Sequence, residues 1–89
     1  TLLELFRELL FKQGVTAKAV QSYNFEDLSL EPLTDYHRLY DTIVSNLQPD
    51  GMNYVFIDEI QNVPSFEKAI NSLLIKGNVD IYISFIENH

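Results

Sequence analysis

The sequence predicts an α/β fold, three-layered, with a parallel sheet flanked by helices. Two observations predict it. Amphipathic segments of helical period alternate with short apolar ones, in the order α-β-α-β-α-β. The run Tyr54-Val55-Phe56-Ile57 is apolar on both faces, as a strand buried between two layers must be. Helical segments between consecutive strands imply right-handed parallel crossovers.

The first helix is predicted near 2–13. Leu2, Leu5, Phe6, Leu9 and Leu10 fall at helical spacing, with Glu4, Arg7, Glu8 and Lys12 facing away. Glu8 and Lys12 form a favourable i, i+4 pair. Gly14 stands where a C′ glycine ends a helix, because it adopts the left-handed conformation freely. A strand follows near 18–24, carrying Ala19, Val20 and Tyr23, with weaker β-propensity than the other two. Residues 26–33, with their acids, Ser29 and Pro32, read as a loop.

The second helix, near 34–47, has the cleanest period: Tyr36, Leu39, Tyr40, Ile43, Val44 and Leu47. Thr34 is its predicted N-cap and Asp35 suits its first turn. Pro49, Asp50 and Gly51 form a turn cluster that stops it. The central strand is predicted at 53–58. The third helix, near 65–76, has the stripe Phe66, Ala69, Ile70, Leu73 and Leu74, closed by Gly77. Val79-Asp80-Ile81-Tyr82-Ile83-Ser84 is the third strand, and 85–89 has no clear pattern.

The 89 residues make one small domain, and a hydrophobic fraction of 46% is too high for disorder. There is no cysteine, hence no disulfide framework and no thiolate metal site. Six Lys/Arg against thirteen Asp/Glu give a net charge of −7. A basic footprint for phosphate backbones is lacking, so this segment is expected not to bind nucleic acid directly. No apolar run is long enough for a membrane span, and nothing at the start reads as a signal peptide. The expectation is a cytoplasmic protein. The first residue is Thr, not Met, which suggests a chain cut from something longer or a processed product.

The informative chemistry is at the end of the central strand, where Asp58 and Glu59 follow the apolar run. Ligands of open parallel sheets bind at the carboxyl ends of strands. Two adjacent acids there are costly to desolvate unless water or a cation meets them. Nucleotide hydrolysis uses such a pair: the first acid fixes Mg²⁺ on phosphate oxygens and the second orients the attacking water. This is the Walker B pattern. The same string also suits a strand that exits to solvent with two acids in its turn. His37 reads as a solvated helix residue, and two histidines without cysteine give no zinc spacing. Arg7 and Arg38 both read as helix-surface residues, neither placed as an arginine finger.

The segment 54–64, Tyr-Val-Phe-Ile-Asp-Glu-Ile-Gln-Asn-Val-Pro, followed by Phe66-Glu67-Lys68-Ala69 and Asn71-Ser72-Leu73, resembles a prokaryotic family of AAA-type P-loop ATPases. Those proteins carry a further, uncharacterised C-terminal domain. Asn24-Phe25-Glu26-Asp27-Leu28 resembles the family's second-strand segment. Thr1-Leu2-Leu3-Glu4-Leu5-Phe6 resembles the start of the helix after the phosphate-binding loop. The resemblance covers residues 1 to about 84. It implies a partial P-loop NTPase core with Mg²⁺ and ATP as the ligands of the intact protein. It makes Asp58 the metal acid and Glu59 the catalytic glutamate. Gln61 would lie near the nucleotide-facing loop, without an assigned role. Asn24 would be a polar group beside Glu59, or simply a turn-making residue after a strand.

Two departures qualify it. The Gly-x-x-x-x-Gly-Lys-Ser loop is absent: the only glycines are Gly14, Gly51 and Gly77. That loop supplies most nucleotide affinity, so the chain alone is expected to bind ATP poorly and not to hydrolyse it. The family's Thr-Gly-Ser-Asn segment, which senses the γ-phosphate, is met by Ser84, Phe85, Ile86 and Glu87, of which only Ser84 is a conservative match. In the related ATPases the phosphate-loop strand lies beside the third strand, so Val79–Ser84 is expected to present an open edge prone to self-association. The alternative is a degenerate, non-enzymatic homologue acting as a small protein-interaction module.

Overall fold

The computed structural model describes residues 2–85. Its elements are α1 (Leu2–Lys12), β1 (Val20–Asn24), α2 (Tyr36–Ser45), β2 (Asn53–Asp58), α3 (Phe66–Leu74) and β3 (Val79–Ile83). The three strands form one parallel sheet, as the sequence predicts, and their order is β1-β2-β3. The order is sequential, so both crossovers run the same way and lay α2 and α3 on one face. The apolar run occupies the middle of the sheet because only there are both strand faces covered.

Alternation along β2 divides its side chains between the layers. Val55 and Ile57 point to α2 and α3, joining Leu39, Ile43 and Leu73 in a core where all five are fully buried. Tyr36, Tyr40, Val44 and Leu47 pack against the same core, so the predicted stripe of the second helix holds throughout. Phe56 faces the other way and stacks on Tyr82 of β3, centroids 4.9 Å apart, and Tyr82 meets Phe6 of α1 at 5.0 Å. The layers are therefore α1, sheet, and α2 with α3.

Local chemistry accounts for the boundaries. Gly14 closes α1 with φ 96°. Its N–H donates to Phe11 O and the Val15 N–H to Leu10 O, both at 3.1 Å, the paired bonds of a Schellman motif. Asn53 is 1% exposed and takes part in three side-chain hydrogen bonds. Its Oδ1 accepts from Gln48 N at 2.8 Å, and its Nδ2 donates to Gln48 O at 3.0 Å and Asn78 O at 3.3 Å. It ties together the two loops that enter β2 and β3.

Several expectations are corrected. Thr34 does not cap α2: Asp35 does, its Oδ1 accepting from His37 N at 2.8 Å. Thr34 instead closes a 3-10 turn, Leu28–Thr34, in the segment read as a loop, its hydroxyl donating to Glu31 O at 2.7 Å. Asp27 caps that turn, and Leu30 and Leu33 hold it on the core. β1 starts at Val20 because Ala17–Ala19 form another 3-10 turn. Leu74, placed in the stripe of α3, is 49% exposed.

The largest correction concerns α1. Leu2 and Leu5 are 77% and 65% exposed, whereas Leu10 is buried and Leu3 and Arg7 are half-buried. The face toward the sheet is Leu3, Phe6, Arg7 and Leu10, an i, i+3, i+4, i+7 series in which Phe6 and Leu10 are as expected. It turns inward because Arg7 Nη1 donates to Ser22 Oγ on β1 at 2.8 Å.

Candidate functional site

Register in a parallel sheet decides which side chains meet at its carboxyl end. Asn24 pairs with Asp58, and two residues earlier Ser22 pairs with Phe56, which pairs with Tyr82. Beyond β3 the ladder continues, with Ser84 N donating to Ile57 O at 3.0 Å and Ile60 N to Ser84 O at 3.2 Å. Period-two alternation then puts Asn24, Asp58 and Ser84 in one row on the α1 face. The row crosses the whole sheet. Ser84 Oγ donates to Asp58 Oδ1 within it.

Beneath α1 this row borders a cavity of about 70 Å³, lined by Leu3, Glu4, Arg7, Ser22, Asn24 and Asp58, among others. Arg7 was not legible as a site residue, since charged positions of an amphipathic helix ordinarily face water. Its only signal was its spacing from Leu3 and Leu10. It supplies the cation of a cavity that also holds the acids Glu4 and Asp58.

Glu59, one residue on, lies outside this row by the same alternation. Its backbone is left-handed, φ 59° and ψ 45°, and turns the chain out of β2 into the 3-10 turn Ile60–Asn62. Such a conformation is uncommon for a residue with a Cβ and marks a place where surrounding structure imposes the shape. Here Ile60 and Val63, both 0% exposed, anchor the turn from below. Glu59 itself is only 9% exposed. Gln61 Nε2 donates to its Oε2 at 2.7 Å. Asn24 is otherwise engaged: its Oδ1 accepts from Glu26 N at 3.0 Å, and it stands opposite Asp58 in register. The structure therefore brings Asp58, Ser84 and Asn24 together, and separately pairs Glu59 with Gln61. Ile86 and Glu87, set against the γ-phosphate-sensing segment, lie outside the described residues.

Among the described residues no group of three or more His, Asp or Glu side chains is placed to cage a metal. Asp58 with the Ser84 hydroxyl is one carboxylate and one neutral oxygen. That donor set suits Mg²⁺, which keeps several waters and takes phosphate oxygens, and is too small for a site made of protein alone. His37 is exposed and stacked on Tyr36, with centroids 4.4 Å apart, away from this row. No helix among the described residues is long and apolar enough to cross a membrane.

A three-stranded parallel sheet flanked by helices, with an acid pair at the end of its central strand, is an α/β fold compatible with a partial P-loop NTPase core. Residues 1–84 match a family model described as an AAA domain, and the chain belongs to that family, the AAA-type P-loop ATPases. It is 29% identical over 85 residues to an uncharacterized protein of Haemophilus influenzae (strain ATCC 51907 / DSM 11121 / KW20 / Rd). The match takes in 93% of this chain and 21% of that relative, so the chain spans about a fifth of the relative's length. No solved structure matches.

Proposed function

We propose that the chain is the central part of an ATP-hydrolysing AAA-type core, with Asp58 as its Mg²⁺ acid and Glu59 as its catalytic glutamate. The observation that carries this reading is the position of Asp58-Glu59 at the carboxyl end of the middle strand, with Asp58 bonded to Ser84 across the next strand. Asp58 would hold the cation of Mg-ATP, with Ser84 keeping its carboxylate in place. The bound ion would neutralise charge on the phosphate oxygens. Glu59, at the same strand end but turned aside by its backbone, would accept a hydrogen bond from the attacking water and orient it. Asn24 and Gln61 are polar neighbours of that space.

Residues 1–89 include no phosphate-binding loop, so hydrolysis is assigned to the core once such a loop is supplied. The test is to join the chain to an upstream strand and a Gly-x-x-x-x-Gly-Lys-Ser loop. The joined protein should hydrolyse ATP, and Glu59→Gln should abolish that. If the joined protein fails to bind nucleotide, the enzyme reading is wrong.

A second reading, a small interaction module, is favoured by the outer face of α1 and by β3. Leu2, Leu5 and Leu9 are 77%, 65% and 49% exposed, and β3 pairs with β2 alone among the described strands. On that reading the chain associates with itself through Val79–Ser84. A single monomeric species in sedimentation, with cooperative unfolding, would remove it.

A further inference from the structure

We infer that Gln61 is a positioning residue for Glu59: it holds one carboxylate oxygen of Glu59 so that the other is presented to water. The inference rests on the reading of Glu59 given above. The geometry around Gln61 is built rather than incidental. On one side Ile60 is fully buried, and its N–H donates to Ser84 O at 3.2 Å. On the other, Asn62 Nδ2 reaches back to Phe25 O at 3.3 Å, its N–H donates to Glu59 O at 3.2 Å, and Val63 N donates to Ile60 O at 2.9 Å. The backbone of Gln61 is thus fixed from both flanks by β1, β3 and the core.

The side chain of Gln61 is on the exposed side of this turn, where a glutamine ordinarily keeps its rotamer freedom. It folds back over two residues to donate to Glu59 Oε2 at 2.7 Å. A bond from an amide to a carboxylate is charge-assisted and stronger than one between neutral groups. It also consumes one oxygen of Glu59 and sets the plane of the carboxylate. The remaining oxygen, Oε1, then has one orientation instead of many, which is what a group that orients water requires. The left-handed backbone of Glu59 is part of the same device, since an extended residue would carry its carboxylate to the opposite side of the strand end. The donor to Glu59 Oε2 is Gln61 Nε2, whereas the Asn24 side chain accepts from Glu26 N.

The test has two arms. In the 89-residue chain, the Gln61 side-chain amide should show a shifted, slowly exchanging N–H by NMR, which moves and exchanges faster in Glu59→Ala. A free-glutamine signal in the unsubstituted chain overturns the inference. In the protein joined to a phosphate-binding loop, Gln61→Ala should lower kcat about tenfold and change KM for Mg-ATP by less than about twofold, as loss of a group supporting a catalytic residue does. Gln61→Glu should lower kcat further than Gln61→Ala, because two carboxylates then face each other. Parallel losses of kcat, KM and melting temperature in both variants would mark a merely structural role and overturn it. If Glu59→Gln still hydrolyses ATP, the assignment of Glu59 fails. If Glu59→Gln is inactive while Gln61→Ala keeps its kcat, only the inference about Gln61 fails.

Discussion

Ser84 and Asp58 lie 26 residues apart and share a hydrogen bond, the Ser84 hydroxyl donating to Asp58 Oδ1 across the carboxyl ends of two parallel strands. The bond joins the acid that ends the central strand to the residue that continues the neighbouring one. Removing the hydroxyl with Ser84→Ala should cost about 1 kcal/mol, the usual net value of such a bond or slightly more for an ionised acceptor. In a domain of this size that is a fall of roughly 4–8 °C in melting temperature. Thermal unfolding followed by circular dichroism checks it, and an unchanged midpoint would show that the bond contributes nothing in solution.

Glu59 and Ser65 are the two non-glycine residues with positive φ among the described residues, at 59° and 60°. Only Glu59 makes a side-chain contact that uses the conformation, for Ser65 caps α3 without a side-chain hydrogen bond. Ser65→Gly should therefore raise stability by about 0.5–1 kcal/mol, and Ser65→Val should lower it by more than about 1 kcal/mol. Urea midpoints of the two variants should fall on opposite sides of the parent. If both destabilise, the Ser65 backbone is not strained.

Asn53 concentrates more structural consequence than any other polar side chain in the core. Asn53→Ala would leave the Gln48 N–H and C=O without their partners and should cost about 2 kcal/mol. Asn53→Asp keeps the acceptor for Gln48 N but sets a carboxylate against the Gln48 and Asn78 carbonyls, so it should not restore stability. Equilibrium denaturation measures both, and an alanine variant as stable as the parent would contradict the role assigned to this residue.

Asp27 provides a pH dependence of known sign. The Ser29 backbone N–H, and then the Ser29 hydroxyl, donate to its carboxylate and hold its pKa below the ordinary aspartate value. A depressed folded-state pKa favours folding in full above the unfolded value, near ~3.9, and the contribution is lost as pH falls through the folded value. The stability difference between the parent and Asp27→Asn should thus be constant at neutral pH and shrink below about pH 4. Denaturation series at pH 7 and pH 3 read it directly. A difference that grows toward acid would reverse the assignment.

Much of this architecture is legible in the sequence. The period of Tyr36 to Leu47, the apolar run at 54–57 and the glycine at 14 are local signals, each tied to one element and its boundary. They specify the parallel α/β class and the acid pair at a strand end. The errors were also local in origin. Thr34 and Asp35 are both good N-cap residues, and the choice between them depends on the 3-10 turn that Asp27, Leu30 and Leu33 build upstream. In α1 the expected Phe6 and Leu10 face the sheet, but Leu2, Leu5 and Leu9 form as regular a series as Leu3 and Arg7 and stay exposed. The contact between Arg7 and Ser22 belongs to neither pattern.

What the chain determined by itself is therefore the set of elements, their parallel pairing and the place of Asp58 and Glu59, because period and turn chemistry act within a few residues. The tertiary structure alone decided the partners. Parallel register, set by crossovers many residues long, placed Ser84 on Asp58 and Asn24 opposite it. The buried anchors Ile60 and Val63 imposed the turn on which Glu59 meets Gln61. No local periodicity encodes these contacts, for they arise only when separate segments are packed against one core.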